Sequence, residues 1–266
     1  MNPKSIVILS DIHCGSWKAV SPPKATINRG KESSVQSYNA IGKALYKAWH
    51  EVATDWEEPD VLVINGEPVD GPNRYNPSDV WSTSLLDQMT ASRELIREFK
   101  AKKIYTTRGS DYHVTIEDQP FEEYYGHGIG AEKIDGAYAP DEFTLKINDV
   151  WINFSHPIAT TRMWQYRSSA ISSVMAQMKL NQSHRWPADI IVRSHVHYYW
   201  YVGSASHLGI ITPAWKVADH FAYKIGSGAS APDIGAVRLI IEDDGSFHHE
   251  AKLFKLPIFR PPLVRV

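Results

Sequence analysis

Residues 5–13 read Ser-Ile-Val-Ile-Leu-Ser-Asp-Ile-His, an apolar run that ends in Asp11 and His13. A short apolar run followed by a polar loop is typical of a buried β-strand. In open α/β sheets, functional sites form at the carboxyl ends of strands, because the loops there converge on one edge. The stretch therefore predicts a buried strand that carries a carboxylate and an imidazole into a candidate site.

Four further predicted strands end in polar groups of a similar kind. They are 61–64 followed by Glu67, 104–107 followed by Ser110, Asp111 and His113, 150–154 followed by His156, and 190–193 followed by His195 and His197. Carboxylates mixed with imidazoles, without thiolates, suit Mn, Fe, Zn, Ni or Co better than a soft metal. Six or seven such groups are too many for one tetrahedral ion, so we expect a pair of divalent ions.

The rest of the chain alternates between helical and strand-like patterns. Apolar spacing predicts helices over 35–56, 84–101 and 165–180, and turn signals predict hairpins over 143–154, 198–212 and 236–254. This alternation favours an α/β protein whose strands stack as a sandwich with helices outside. No linker divides the chain, so we expect a single domain over residues 1–256 and an extended C-terminal tail over 257–266.

The composition narrows the class of protein. A chain of 266 residues with 43% apolar content is that of an ordinary globular protein rather than a disulfide-stapled miniprotein. Lys plus Arg (28) nearly balance Asp plus Glu (30), so the composition shows no positive electrostatic field strong enough to hold a polyanion. It does not exclude a local basic groove. With one cysteine, Cys14, and no apolar segment near the roughly 20 residues that span a bilayer, we expect a cytoplasmic protein without membrane contact.

The order of the polar motifs is similar to that of a known superfamily. The motifs are Asp11-Ile12-His13, Gly66-Glu67-Pro68-Val69-Asp70, Arg108-Gly109-Ser110-Asp111, His156 and Ser194-His195-Val196-His197. This series resembles the calcineurin-like metallophosphoesterase superfamily, whose motifs run Asp-x-His, Gly-Asp-x-x-Asp, Gly-Asn-His-Asp or -Glu, an isolated His, and Gly-His-x-His. The resemblance implies a four-layer αββα sandwich of two mixed sheets with helices outside. It also implies two divalent metal ions and hydrolysis of a phosphoester.

The resemblance further implies which residues hold each ion. Asp11, His13 and His197 would hold one ion, His156 and His195 would hold the other, and Glu67 would bridge them. Asp70 would orient a histidine ligand. Alternatively, Asp70 would be the bridging carboxylate in place of Glu67.

Two departures from the family pattern affect this assignment. Glu67 stands where the family usually has Asp, and its side chain is one methylene longer. Ser110 stands at the Asn position and Asp111 at the His position of the third motif. Ser110 is expected as a metal ligand that Asp111 could replace, and either residue could instead only cap a turn. His113 is the nearby substitute for the missing imidazole, unless it is a solvated residue.

The expected mechanism is attack of a metal-activated hydroxide on phosphorus, with His113 passing a proton to the leaving oxygen. Arg108 and Asp111 complete the expected catalytic group. Arg162 and Arg167 are expected to bind the substrate phosphate, unless they only pair with surface carboxylates, and Lys216 is a further candidate.

The expected substrate is a small phosphoester, with phosphodiesters or nucleotides favoured over monoesters. Aromatic residues 198–200 follow the last motif directly and could stack a base or an aryl leaving group. Two alternatives stay open: a nuclease that acts on short single-stranded nucleic acid, and a metal-binding scaffold with impaired catalysis. The departures in the third motif motivate the scaffold alternative.

Overall fold

The computed structural model describes residues 3–29, 32–73, 77–110, 115–116, 119–161, 163–204, 206–218 and 232–256. Its helices are α1 (Ala40–Asp55), α2 (Leu85–Arg97), α3 (Phe121–Ile129) and α4 (Arg167–Leu180), with 3-10 turns at Pro77–Asp79 and Trp164–Tyr166. Its strands are β1 (Lys4–Leu9), β2 (Lys24–Arg29), β3 (Glu32–Ser37), β4 (Val61–Asn65), β5 (Ile104–Thr107), β6 (Thr115–Ile116), β7 (Gln119–Pro120), β8 (Glu142–Ile147), β9 (Val150–Ser155), β10 (Ile190–Arg193), β11 (Trp200–Gly203), β12 (Leu208–Ile211), β13 (Ile234–Ile241) and β14 (Phe247–Phe254).

The larger strands form two mixed five-stranded sheets. The first sheet has the order β14-β13-β1-β4-β5 and the second has the order β11-β12-β10-β9-β8. In the first sheet β1, β4 and β5 run parallel, and β13 pairs antiparallel with β1. In the second sheet β10 runs parallel to both β9 and β12. Each sheet therefore brings the carboxyl ends of neighbouring parallel strands to one edge.

Alternation of side chains along β1 separates two hydrophobic cores. Ile6 and Ile8 lie in the core between the two sheets, whereas Val7 and Leu9 lie in the core between the first sheet and helices α1, α2 and α3. These four side chains are fully buried. A strand buried on both faces reads as a continuous apolar run, which is the pattern of residues 6–9.

Helix α4 covers a third core on the outer face of the second sheet. Ile171 and Met178 of α4 pack with Ile191 of β10 and Ile211 of β12. The layers therefore follow the order helices, sheet, sheet, helix. The four-layer αββα sandwich of two mixed sheets is confirmed.

The three predicted hairpins are present as antiparallel pairs, β8–β9, β11–β12 and β13–β14. The predicted start of the first helix, in contrast, was wrong. Residues 24–29 and 32–37 pair as the antiparallel strands β2 and β3, so residues 35–37 belong to a strand and not to the helix, and Val35 is 64% exposed there. Helix α1 begins at Ala40 because the side chain of Asn39 accepts the Gly42 N–H at 2.8 Å and caps the helix.

Helix α3 was not predicted from the sequence, and its Tyr125 is buried in the core beneath the first sheet. The expected tail, 257–266, lies outside the described residues. Among the helices that the structure describes, none has the length and apolar character needed to cross a membrane.

Candidate metal centre

Two groups of potential metal ligands meet where β1 and β4 of the first sheet end near β9 and β10 of the second. The first group is Asp11, His13, Glu67 and His197, and the second is Glu67, His156 and His195. Within each group the ligand atoms lie within 4.8 Å of one another. Glu67 belongs to both groups, which is the arrangement expected of a carboxylate between two ions.

The first group surrounds the buried carboxylates of Asp11 and Glu67. Nε2 of His13 lies 2.9 Å from Oε2 of Glu67 and 3.2 Å from Nε2 of His197. Nε2 of His197 lies 3.2 Å from Oδ1 of Asp11. Two imidazole nitrogens and two carboxylates therefore face one small volume.

The second group lies on the other oxygen of Glu67. Nε2 of His156 is 3.3 Å from Oε1 of Glu67, and Nδ1 of His195 is 3.9 Å from the same atom. The two imidazoles approach each other at 3.3 Å. The side chains of His195 and His197 are 38% and 25% exposed, so the cluster is open to solvent on this side.

Five of these ligands occupy left-handed backbone conformations, with φ of 49° at Asp11, 48° at His13, 54° at Glu67, 76° at His195 and 56° at His197. Such conformations cost a non-glycine residue on the order of 1–3 kcal/mol and persist where the surrounding structure imposes them. The five sharp turns aim consecutive or alternate side chains at the same volume. Five of the eleven non-glycine residues with positive φ in the described part of the chain therefore lie in the motifs that the sequence analysis identified.

Gly66 allows the segment that carries Glu67 to lie close to the ring of His156. Its φ is +81°, and a Cβ there would lie 2.4 Å from Nδ1 of His156. Because real side chains do not approach that closely, this position requires glycine.

Two histidines are oriented by acceptors outside the cluster. Nδ1 of His156 donates to the backbone oxygen of Asn65 at 2.8 Å, so Nε2 is the ring nitrogen that faces the cluster. Nδ1 of His13 lies 3.1 Å from Oδ1 of Asp70, which leaves Nε2 of His13 facing Glu67. Asp70 thus takes the orienting position expected of it and not the bridging one.

The electrostatics of the cluster fit a divalent cation. Burial raises the pKa of Asp11, but the neighbouring His197 and His156 outweigh it and lower that pKa to about 2. Burial lowers the pKa of His156, but Glu67 and Asp11 outweigh it and raise that pKa to about 10. Oδ1 of Asp11 is buried and finds no hydrogen-bond donor of good geometry among the described residues. In the metal-free protein, protons on the histidines therefore neutralise the negative charge of the carboxylates, which a bound metal ion would otherwise neutralise.

His13 shows the same balance. Burial and the ammonium of Lys216 lower its pKa, whereas Glu67 and Asp70 raise it, and the result is a pKa of about 9. The donor set of imidazoles and carboxylates therefore fits divalent Mn, Fe, Zn, Ni or Co.

Glu122 on α3 belongs to the site and was missed in the sequence. Its carboxylate is 3% exposed and accepts the backbone N–H of Glu67 at 3.1 Å and that of Gly109 at 2.6 Å. Burial raises the pKa of Glu122 to about 8, although these two N–H groups oppose the shift. A glutamate in the first turn of an unpredicted helix carries no sequence signal that separates it from an exposed residue.

Ser110 contacts the carboxylate of Glu67. Its hydroxyl donates to Oε1 of Glu67, and its backbone N–H donates to the same atom at 3.3 Å. The structure therefore places Ser110 as a hydrogen-bond donor that fixes Glu67, while its role as a metal ligand stays a prediction.

The residues expected to act on the substrate are placed less completely. Asp111, His113 and Arg162 lie outside the described residues. Arg108 is half-buried, and its backbone N–H donates to the oxygen of Pro140 at 3.0 Å.

Two further cations pack against protein groups. The guanidinium of Arg167 lies 4.3 Å from the centre of the Tyr198 ring, at the start of α4. Lys216 is 5% exposed and lies 2.7 Å from Oδ1 of Asp70. The interpretation of Lys216 as a substrate-facing cation was therefore wrong, because its ammonium is buried against a carboxylate.

Cys14 is fully buried, and burial raises the pKa of its thiol. Such a thiol is a poor nucleophile, which agrees with a space-filling role next to His13.

Comparisons with known proteins add fold-level likenesses. No protein-family model and no curated protein matches the chain. Similar solved structures include a zinc complex of Vps29 from Entamoeba histolytica, with 12% identity, a TM-score of 0.45 and coverage of 94% of this chain and 99% of that one. An archaeal phosphodiesterase shows 14% identity, a TM-score of 0.46 and coverage of 93% and 99%. A predicted phosphoesterase from Streptococcus pneumoniae shows 11% identity, a TM-score of 0.39 and coverage of 95% and 99%.

Proposed function

We propose that the chain is a metal-dependent phosphoester hydrolase with a dinuclear centre. The observation that carries the proposal is the position of Glu67, whose two oxygens each face a separate group of ligands. Two divalent ions held roughly 3.5–4 Å apart are in general suited to in-line displacement at phosphorus. Divalent ions held there would supply positive charge to the phosphate oxygens and lower the pKa of a water nucleophile.

The chain's own residues hold and orient this centre. Asn65 and Asp70 set the ring orientations of His156 and His13, and Ser110 with Glu122 fixes the bridging Glu67. His113 is the proposed proton donor to the leaving oxygen, and Asp111, Arg108, Arg162 and Arg167 are the proposed further catalytic and substrate-binding residues.

We propose phosphodiesters or nucleotides as substrates in preference to monoesters. Trp164 is 64% exposed and packs edge-to-face on Trp200, three residues beyond the ligand His197, with ring centroids 5.4 Å apart. Exposed aromatic faces of this kind can stack a base or an aryl group.

The decisive experiment is turnover of an aryl phosphodiester and the matching monoester by protein that has been stripped with a chelator and reloaded with Mn²⁺. Metal should restore turnover, and His195→Ala should lower it by about 100-fold or more, because one ligand of the solvent-facing ion is lost. His184→Ala, at an exposed histidine outside the cluster, is the matched control and should keep full activity. Equal turnover in His195→Ala and the parent protein would contradict the proposal.

A scaffold that binds metal without catalysis is the second candidate. It is favoured by the side chain of Ser110, which donates to Glu67 where the family places a metal-binding amide. Tight binding of Zn²⁺ without turnover of either ester would select this candidate. A nuclease would differ from both, because its affinity for a short single strand should fall steeply as salt rises.

A further inference from the structure

A buried ammonium group lies directly behind the first ligand group. Lys216 is 5% exposed, and its Nζ lies 2.7 Å from Oδ1 of Asp70, which is itself 1% exposed. Lysine is rarely buried to this extent unless it is paired, because removing its charge from water is costly. The position of Lys216 therefore calls for an explanation in terms of the charges around it.

The carboxylate that Lys216 contacts also orients a metal ligand. Oδ1 of Asp70 is shared between Nζ of Lys216 and Nδ1 of His13, which lies 3.1 Å away. Nε2 on the other side of the same imidazole lies 2.9 Å from the bridging Glu67. Lys216, Asp70, His13 and Glu67 thus form a continuous chain of alternating charge that leads into the cluster.

The backbone around Lys216 is tied to the segment that carries the first motif. The N–H of Trp215 donates to the oxygen of Asp11 at 3.0 Å, and the N–H of Val217 donates to the oxygen of Lys18 at 2.9 Å. Lys216 itself forms an antiparallel bridge with Ala19. The ammonium is therefore held at a fixed position relative to Asp11 and His13, as a positioning group must be.

Three buried carboxylates, those of Asp11, Glu67 and Asp70, lie in or beside the first ligand group. A fixed cation at this place stabilises the carboxylates when no ion is bound and repels a divalent ion when one binds. We propose that Lys216 is a built-in counter-ion: it stabilises the metal-free protein, holds Asp70 against His13, and lowers the affinity of the first ligand group for divalent cations. This inference rests on the metal centre of the proposed function.

Removing the charge of Lys216 should strengthen metal binding, an effect that loss of a purely structural lysine would not have. Lys216→Met keeps much of the side-chain length and removes the charge, so Asp70 acts on His13 without an opposing cation. The variant should bind Zn²⁺ about tenfold or more tightly at one position, the scale of effect that partners of metal-ligating histidines exert. The same variant should unfold at a lower urea concentration in the presence of a chelator.

The experiment is a titration of the metal-free protein with Zn²⁺ against a chromophoric chelator, together with urea unfolding in excess chelator. Lys216→Arg retains the charge and should stay near the parent protein in affinity. Lys18→Met is the matched control for metal affinity, because Lys18 is partly exposed and its backbone oxygen accepts the N–H of Val217, while its ammonium donates to the oxygen of Ala218 at 3.4 Å rather than to a carboxylate. It should leave the Zn²⁺ affinity unchanged. Unchanged or weaker Zn²⁺ binding by Lys216→Met would overturn the proposal.

A second comparison covers the case in which Lys216→Met does not fold. Asp70→Asn alone leaves the ammonium near the centre, whereas Asp70→Asn with Lys216→Met removes both buried charges together. The double variant should bind Zn²⁺ more tightly than the single Asp70→Asn variant, and equal binding would contradict the counter-ion role. Failure of the parent protein to bind Zn²⁺ would also overturn it. Zn²⁺ binding without ester turnover would instead contradict only the proposed hydrolase.

Discussion

Glu67 is the side chain that the two groups of candidate ligands share. Its Oε2 lies 2.9 Å from His13 and its Oε1 lies 3.3 Å from His156, so one carboxylate serves both groups. The longer glutamate side chain reaches Ser110, whose hydroxyl donates to Oε1. Two of the positions that differ from the motifs this series resembles, Glu67 for an aspartate and Ser110 for an asparagine, are therefore in contact with each other.

Replacing this carboxylate should remove one ion. In Glu67→Gln the amide offers one acceptor oxygen and a donor NH₂, so it cannot give an oxygen to each of two cations. We expect the Zn²⁺ content after dialysis to fall from about two to about one ion per chain, as measured by elemental analysis. Glu57→Gln, at a side chain that is 54% exposed, is the control. An undiminished zinc content in Glu67→Gln would show that Glu67 does not bridge.

Glu122 holds the backbone of Glu67 in place by accepting its N–H. Glu122→Gln can accept one backbone N–H but turns its NH₂ toward the other, so unfolding should require about 1–3 kcal/mol less free energy. The variant should also bind Zn²⁺ more weakly, because the accepted N–H groups belong to Glu67 and Gly109.

Glu123→Gln is a matched control for this prediction. Glu123 is the next residue of α3 and accepts the backbone N–H groups of Tyr138 and Ala139 at 2.9 and 2.8 Å. It should lose a similar amount of stability without a change in Zn²⁺ affinity. A parallel loss of affinity in both variants would mean that Glu122 acts through general stability alone.

At the scale of elements, the site is a property of strand ends and the loops that follow them. The loop after β5 approaches the loop after β4 so closely that a Cβ on Gly109 would lie 2.6 Å from Cγ of Glu67 and 2.8 Å from its backbone nitrogen. The contact joins two loops of the first sheet and leaves no room for a side chain at position 109.

Gly109→Ala should therefore displace the bridging carboxylate. We expect a loss of about 1–3 kcal/mol in the free energy of unfolding, the usual cost of overpacking, together with weaker Zn²⁺ binding. Urea unfolding and metal titration measure the two effects. Gly203→Ala on β11 is the control, since a Cβ there meets its nearest neighbour at an ordinary 3.4 Å. Full Zn²⁺ affinity in Gly109→Ala would contradict the close packing of the two loops.

The elements themselves could be predicted to different degrees. The strands β1, β4 and β10 each contain an uninterrupted, buried apolar run, and that pattern identified them. Strand β5, Ile-Tyr-Thr-Thr, is only partly buried and has a weaker pattern. The hairpin β2–β3 has the sequence Lys-Ala-Thr-Ile-Asn-Arg followed by Glu-Ser-Ser-Val-Gln-Ser, and β3 is largely exposed. A solvated strand has little apolar alternation, so its pattern did not distinguish it from a loop.

At the scale of the whole molecule, the centre joins the two sheets. The first sheet contributes Asp11, His13 and Glu67, and the second contributes His156 and the two histidines of the last motif. Both sheets must be packed before either ligand group is complete, so metal binding and folding should be linked.

This linkage predicts opposite pH dependences with and without metal. Folding raises the pKa of His13 from 6.5 to about 9, that of His156 from 6.5 to about 10, and that of Glu122 from 4.5 to about 8. The folded metal-free protein therefore holds more protons than the unfolded chain in this range. The contribution of these groups to stability should be greatest when the pH lies below their unfolded-state pKa values. For His13 it should fall as the pH rises from 6.5 toward 9.

Bound metal should reverse that trend, because it replaces the protons on the histidines and binds better as they dissociate. Urea midpoints at pH 6 and pH 9 in excess chelator and in excess Zn²⁺ measure both slopes, because pH 6 lies below the unfolded histidine pKa of 6.5 and pH 9 lies at the folded pKa of His13. A midpoint that rises with pH in chelator would show that the cluster is not protonated in the metal-free fold.

The sequence by itself determined the class of the fold and the chemical identity of the candidate ligands, because burial of strands and the residues at their ends are local properties. Only the tertiary structure decided which groups face one another. His13 and His197 are 184 positions apart, Lys216 and Asp70 are 146 apart, and Glu67 and Glu122 are 55 apart. Contacts over such separations depend on how two sheets and a short helix pack. Local patterns of hydrophobicity do not encode that packing, so the direction of Ser110, the support from Glu122 and the burial of Lys216 followed from the fold alone.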